Sequence, residues 1–537
     1  MTITSQDQQI RGKNPYTFDE FLEKRSNLDW YKDDPFLQKA LKKYAGSQYE
    51  QIHIELQHFS PAVSSRWSTL AERAARPEVR PYLLHFDAFN HRIDRVIRPM
   101  ETHQLEKEVF STGLFSSKMP AWESFAKRML IHQLGEAGVA CPLTCTIGLI
   151  ALLEQYPNED IPELEQILQH TKEGLGGDFA IGAQFMTEIQ GGSDLPANVL
   201  EAVPDGKNYR LYGNKFFCSV AHADYSVVTA KISGTDKVST FIVPSWLPGD
   251  KEIEKRNGYE INRIKWKMGT AELPTGEFQY NGALAYPVGP AGKGVAVAVG
   301  IVLTLSRLEI GIACAGFMLR AAREASLYGN FRTVFGKKVK DYPLSARTLK
   351  KIENAAHRTA AGAFKIYDQF LLLDQPLSAG IPVDQPIELR KQLFNLRELV
   401  LLQKICATNE GAEVLRDAIS VFAGHGVMEE FSSLPRIFRD IVVNEQWEGP
   451  RNLLLTQIYR DIQRVTDWYP PADFVANVLE GASQATIDRF AEQLTDLLQR
   501  PVCGGVSEAS MEAAEEWDVF CDSIFKAYQK IALEELQ

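Results

Sequence analysis

The spacing of apolar positions changes character along the chain. Near the N-terminus, Leu37, Leu41 and Tyr44, with Phe36 and Ala40, recur at helical intervals, as do Phe125, Met129, His132 and Leu134. Residues 1–175 therefore read as mostly helical, with Trp30, Trp67 and Trp122 as packing anchors and with breaks at Pro61-Ala62 and around Pro77 and Pro81. The pattern switches at the turn-like stretch 174–177. Beyond it lie short runs of β-branched and aromatic residues. An Asp205-Gly206 turn precedes a strand that runs to Gly213, and 225–230, 238–243 and 276–280 predict further strands. Helical spacing returns after Gly294, where Ile301, Leu305, Leu308, Ile312, Ala315 and Leu319 form one apolar stripe. Similar stretches cover 343–373, 386–418 and 450–464, as a helical bundle needs. Pro470-Pro471 ends that block and a helical tail follows.

The order is thus helices, β-structure, helices and tail. A parallel α/β sheet would alternate strand and helix throughout. The expected division is a helical domain over 1–177, a β-domain over 178–290, a helical bundle over 291–460 and an acidic helical extension over 461–537. No G-x-G-x-x-G follows an early strand and no P-loop motif is present, which weighs against those nucleotide sites.

Composition narrows the class. The 537 residues are 45% hydrophobic and 24% charged, an ordinary globular mix. No run approaches the roughly 18–20 apolar residues of a membrane span, and Met1–Ile10 lacks the basic start and apolar core of a signal peptide. A cytoplasmic protein is expected. Seven cysteines without repeated spacing predict neither a disulfide framework nor a metal site. The formal charge of −11 is concentrated: 461–537 hold fifteen acidic and five basic residues, a net −10, so the rest of the chain is nearly neutral. Nucleic-acid affinity rests on cations set against phosphates, so this tail predicts no nucleic-acid binding.

Five segments offer chemistry. Gln184-Phe-Met-Thr-Glu-Ile-Gln-Gly-Gly-Ser-Asp194 reads as a strand ending at Thr187, then a turn whose small residues admit a ligand and whose Thr187 and Ser193 supply hydroxyls; an ordinary polar turn fits as well. Lys215-Phe-Phe-Cys-Ser-Val220 is a strand carrying aromatics and a hydroxyl. Asn330–Lys338 is a helix end followed by Gly336 and basic residues, and Val421–Gly426 is a glycine-rich turn between helices. In Glu445-Gln-Trp-Glu-Gly-Pro-Arg-Asn452, Glu448 is either a desolvated base beside Trp447 or an acid favoured by the following helix N-terminus.

The order and separation of these segments resemble the acyl-CoA dehydrogenase flavoprotein superfamily, most closely its DNA-alkylation-response branch, over roughly residues 80–460. His85-Phe-Asp-Ala-Phe-Asn-His-Arg-Ile-Asp94, Cys141-Pro-Leu-Thr144, Met186–Leu195 and Trp447-Glu-Gly449 carry the resemblance. It implies an α+β fold, with an N-terminal helical domain, a β-barrel-like middle domain and a C-terminal four-helix bundle plus helical extension. It implies FAD as cofactor and Glu448 as the base that removes the α-proton of an acyl thioester while a β-hydride passes to flavin N5. Thr187, Phe217 and Ser219 would meet the flavin; Arg332, Phe335, Ser420, Gly424 and Asn452 would contact FAD, in part that of a neighbouring subunit; Ser193 and Arg307 would face the substrate. A homotetramer is implied, with electron-transfer flavoprotein or oxygen as acceptor. Pro450, Ser420, Phe217 and Ile189 depart from the usual residues, which leaves an acyl-carrier-protein thioester as an alternative to acyl-CoA. The departures also leave open an acyl-binding or nucleic-acid-associated stress protein with weak dehydrogenase activity.

Overall fold

The computed structural model describes residues 16–175, 177–373, 375 and 383–537; the reading of Met1–Ile10 lies outside them. The N-terminal part contains helices α1 (Asp19–Asn27), α2 (Pro35–Ala45), α3 (Tyr49–Pro61), α4 (Ser68–Ala74), α5 (Met100–Phe110), α6 (Ala121–His132), α7 (Ala140–Gln155) and α8 (Pro162–Lys172). Asp34 caps α2 by accepting a hydrogen bond from the Leu37 N–H, and Pro35 occupies the first helical position, where its missing N–H costs nothing. The break expected at Pro61-Ala62 does not occur. A π-helical turn, Ala62–Trp67, carries the helix from α3 into α4 and takes up the mismatch that proline creates. Nor is this part wholly helical: Tyr82–Phe86 (β1) and Arg92–Ile97 (β2) form an antiparallel hairpin where only a break was expected at Pro81.

The middle part is a seven-stranded sheet of β3 (Gly182–Phe185), β4 (Glu201–Asp205), β5 (Asn208–Ser219), β6 (Tyr225–Ile232), β7 (Val238–Pro244), β8 (Tyr259–Ile264) and β9 (Thr275–Val288). Pairings run β6–β4–β5–β9–β7, and β7 returns to β6, which closes a barrel and removes its exposed edges. Strand β3 adds in parallel to the start of β6 and ends at Phe185, two residues short of the expected Thr187.

Helices α9 (Thr304–Phe331), α10 (Pro343–Leu373), α11 (Ile387–Val421), α12 (Leu434–Gln446) and α13 (Arg451–Val465) make the bundle. The apolar run was underestimated in the sequence: the continuous helix Gly294–Phe331 is long and apolar enough to cross a membrane, but 72% of that window is buried in the fold, so it is the bundle's central helix. The extension contributes α14 (Pro471–Val478), α15 (Gln484–Leu497) and α16 (Glu508–Glu534), and α16 lies against α10 and α11. Its Trp517 is buried and donates its indole N–H to the Leu455 carbonyl at 3.0 Å.

Candidate active site

Glu448 occupies the short connection between α12 and α13, where its backbone is left-handed (φ 56°) and Gly449 follows at φ 100°. A non-glycine residue rarely adopts such a conformation unless its surroundings hold it there. Two buried cations do so. Arg307 donates from Nε to the Glu448 carbonyl at 3.0 Å, and Lys404 donates to the carbonyls of Glu445 and Gly449 at 2.7 and 2.6 Å. The carboxyl turns inward, where Gln184 Nε2 donates to it at 2.6 Å, and Gln184 also meets Ser306 of α9 at 3.2 Å. Burial pushes Glu448 up to about 7, against the opposing pull of Arg307, Lys404 and the Gln184 hydrogen bond. A carboxyl titrating near neutrality beside a cavity is what a general base requires.

The cavity measures about 40 Å³ and runs between α7 and α9, with Glu448 and Trp447 among its walls. Its lining includes Cys141, Thr144 and Cys145 from α7 and Ile310, Ala313 and Phe317 from α9.

The chain after β3 forms a loop held from beneath. The carboxylate of Glu188, 2% exposed, accepts from Lys215 Nζ at 2.8 Å and from the backbone N–H groups of Val199 and Leu200 at 2.7 and 3.2 Å. Lys215, 1% exposed, also donates to the Met186 carbonyl at 2.9 Å. This ion pair fixes Thr187, whose carbonyl accepts from the Phe216 N–H at 2.9 Å, next to Phe217 and Ser219 on β5. A Cβ at Gly192 would lie 2.4 Å from Thr187 Oγ1, so the glycine is required for the loop to fold over that threonine. Ser219 shares a hydrogen bond with Thr275 at 3.1 Å. Phe217 is 49% exposed with Lys265 Nζ over its ring at 4.4 Å, and Ser193 stands exposed on the loop. A partly exposed aromatic beside the hydroxyls of Thr187 and Ser219 suits a planar, hydrogen-bonding ring system, so these residues fit a flavin.

The remaining expected cofactor residues lie elsewhere. Arg332 ends α9, and Phe335 and Gly336 (φ 46° and 79°) form the two-residue turn of the ribbon Thr333–Val334/Lys337–Lys338. Paired positive φ is the geometry of a tight hairpin turn and is strained at phenylalanine, yet that ring is 98% exposed. Ser420 is exposed on the last turn of α11 and Gly424 in the exposed turn that follows, which Tyr328 links to α9 through His425 Nδ1 at 3.1 Å. Asn452 is exposed on the first turn of α13. Arg307 and Arg332 sit 25 residues apart along essentially one helix, a separation of about 37 Å at a rise of ~1.5 Å per residue. The structure therefore sets Arg307 against Glu448 and places Thr187 beside the Phe216–Ser219 stretch of β5, three residues along from the Gln184 that holds the Glu448 carboxyl, and sets Arg332, Phe335, Ser420 and Gly424 at the far end of α9.

Sequence reasoning gave no role to Gln184, Ser306, Lys404, Glu188 or Lys215. Glu188 and Lys215 lie inside quoted segments, and a charged residue at an inward strand position is the signal that marks Lys215. Lys404 has no local signal, since its partners lie 41 and 45 residues away.

Comparison with known proteins agrees with this architecture. Residues 22–171 match the adaptive response protein AidB N-terminal domain, 183–283 the acyl-CoA dehydrogenase middle domain and 292–463 the acyl-CoA dehydrogenase C-terminal domain. The fold and site define a flavoprotein dehydrogenase. The chain belongs to the acyl-CoA dehydrogenase family and is an FAD-dependent oxidoreductase of that type. Acyl-CoA dehydrogenase family member 11 of Caenorhabditis elegans is 29% identical over 455 residues, 80% of this chain and 70% of the relative. The putative acyl-CoA dehydrogenase AidB of Escherichia coli K12 is 27% identical over 438 residues, 78% and 76% of the two chains. Among solved structures, Caenorhabditis elegans ACDH-11 in complex with C11-CoA superposes with a TM-score of 0.79 at 25% identity, covering 99% of this chain and 92% of that one. Butyryl-CoA dehydrogenase of Megasphaera elsdenii shares the fold at a TM-score of 0.57 and 18% identity, covering 97% of itself but 74% of this chain.

Proposed function

We propose that this protein dehydrogenates the α,β bond of an acyl-CoA thioester, with Glu448 removing the α-proton. The observation that carries the reading is the Glu448 carboxyl itself, pushed up to about 7 by burial and aimed into the cavity between α7 and α9. An α-proton of a thioester is too weakly acidic for a carboxylate in water, and raising the carboxyl toward neutrality narrows the gap. The strained backbone at Glu448, held by Arg307 and Lys404, fixes the carboxyl for one direction of approach and offers the Glu448 N–H as a donor to the thioester oxygen. Thr187, Phe217 and Ser219 hold the flavin ring, and FAD when bound supplies the acceptor for the β-hydride. A CoA thioester is favoured over a carrier-protein thioester by the C11-CoA complex of the related nematode protein. The reduced cofactor is reoxidised by electron-transfer flavoprotein or by oxygen.

The reading extends to assembly. About 37 Å of helix separates Arg307 from Arg332, more than one cofactor spans, so Arg332 and the exposed Phe335 serve the FAD of a neighbouring subunit in a homo-oligomer, as a tetramer. The protein is proposed to be cytoplasmic. It is also proposed not to engage nucleic acid through 461–537, because that part is acidic. Submicromolar, salt-sensitive duplex binding that is lost from a chain lacking it would refute the last point.

Anaerobic mixing with acyl-CoAs of graded length should bleach the flavin absorbance of the holoenzyme. Glu448→Gln should retain FAD and lose bleaching by about a thousandfold or more, within or beyond the usual range for a general base. Wild-type bleaching by that variant would remove the base assignment.

A further inference from the structure

A hydrogen-bonded chain runs from a buried ammonium to the hydroxyl at the end of β5. Strands β5 and β9 pair so that Ser219 stands opposite Thr275, with their hydroxyl oxygens 3.1 Å apart. Thr275 has a second partner. Lys267, in the connection between β8 and β9, donates to Thr275 Oγ1 at 2.8 Å and to the Leu273 carbonyl at 2.9 Å. Burial lowers Lys267 to about 8, against the pull of Glu136, Cys141, Glu272 and Asp440, so it remains an ammonium at neutral pH. Those four belong to the α6–α7 connection, α7, the β8–β9 connection itself and α12.

A serine–threonine pair across two strands says nothing of direction on its own, because either hydroxyl can donate. Here the third group decides. An ammonium has three donors and no acceptor, so Thr275 Oγ1 receives from Lys267. Thr275 is 1% exposed, and its hydroxyl has no partner besides Lys267 and Ser219 among the described residues. Were Ser219 to donate to Thr275 as well, the proton of the threonine would be buried without an acceptor, which is the costly arrangement. With Thr275 donating to Ser219, that proton is paired and the Ser219 proton turns away from Thr275. Ser219 is half-buried, two residues from the partly exposed Phe217, and Thr275 is the one partner of its hydroxyl among the described residues.

We propose that Lys267 and Thr275 are positioning residues that hold the Ser219 hydroxyl as a hydrogen-bond donor toward the flavin ring. This rests on the reading that Ser219 meets that ring. Ring nitrogen N5 only accepts hydrogen bonds in the oxidised flavin and carries a proton in the reduced one. A serine held as donor pairs with the first state and not with the second. The direction of one hydrogen bond therefore favours the oxidised cofactor, and Lys267 acts on it through two hydroxyls without touching it.

The test is the midpoint potential of the holoenzyme flavin, measured by dye-coupled reduction with no thioester present. Thr275→Val frees the Ser219 hydroxyl to turn and accept, so the potential should rise. The expected size is about tenfold in the reduced-to-oxidised ratio at a fixed solution potential, ~30 mV for a two-electron couple. Ser219→Ala should also raise it, because the donor is gone. Thr275→Ser keeps the hydroxyl and should hold the wild-type value. The double variant Ser219→Ala/Thr275→Val should match Ser219→Ala, since Thr275 acts only through Ser219. A Thr275→Val potential that stays in place or falls, or a double variant whose shift is the sum of the single ones, overturns the proposal. If Ser219→Ala shifts the potential and Thr275→Val does not, the relay fails while the placement of Ser219 against the flavin stands. If Ser219→Ala shifts nothing, both fail together. Should Thr275→Val not retain FAD, Thr275→Ala removes the same hydroxyl and is judged by the same outcomes.

Discussion

Gln184 donates its amide hydrogen to the carboxyl of Glu448, the proposed base, and that contact sets a measurable quantity. Burial raises Glu448 while Arg307, Lys404 and the Gln184 hydrogen bond lower it, the balance falling at about 7. The base works only when ionised, so flavin reduction should rise by about tenfold per pH unit below neutrality and level off above it. Gln184→Leu removes a hydrogen bond to the charged form, so the Glu448 pKa should climb further. The acid limb of kcat/KM should then move to higher pH with the plateau retained. A limb that stays in place would show that Gln184 does not tune the base.

At the scale of elements, the loop between β3 and β4 is positioned by one buried ion pair. Lys215 of β5 and Glu188 of the loop are almost completely enclosed, and burial lowers Lys215 to about 8 even with its carboxylate partner. Such a pair adds little net stability over an apolar replacement, but removing one member strands the other charge. Lys215→Met should therefore cost about 3–5 kcal/mol, seen as a lower denaturation midpoint, and should release FAD because Thr187 and Gly192 lose their support. The double variant Lys215→Met/Glu188→Leu should recover part of the stability. Recovery of stability without recovery of FAD binding would separate the loop's electrostatics from its shape.

The whole molecule is organised around α9, which buries its length in the bundle and carries the base cluster at one end and Arg332 at the other. If each flavin draws on two subunits, an inactive Glu448→Gln chain and an inactive Arg332→Ala chain should restore activity when co-assembled, because one of the mixed sites has both residues intact. Mixing that yields no recovery, under conditions where subunits demonstrably exchange, would place both residues at one subunit's site. The extension belongs to the same body. Arg451 pairs with Asp518 and Asp522, Lys365 and Lys43 pair with Glu535, and Phe520, Phe525 and Tyr528 are buried with Trp517. Deleting 508–537 should uncover that apolar face and lower the thermal midpoint or the soluble yield. A truncated chain that melts like the full one would make the extension an appendage.

Local patterning by itself marked four of the five bundle helices and most strands of the middle domain, because apolar periodicity reflects faces that each element must bury, but not α12 or the ribbon at 333–338. The family resemblance, carried by the contiguous runs Met186–Leu195 and Trp447–Gly449, singled out Glu448 and the loop after β3, and composition marked the acidic tail. Patterning missed the β1–β2 hairpin and the π-turn at Ala62–Trp67, where turn chemistry and helix continuity depend on what packs alongside. Only the tertiary structure closed the barrel by returning β7 to β6, brought Gln184 across 264 positions to Glu448, and placed Lys404 beneath the loop. Only it could set Arg332 a helix length away from Arg307, or put His132 in the wall of the cavity beside Glu448. The physical reason is the same in each case. Periodicity records that a residue is buried, while pKa values, cavity shape and shared sites depend on which distant groups it is buried against.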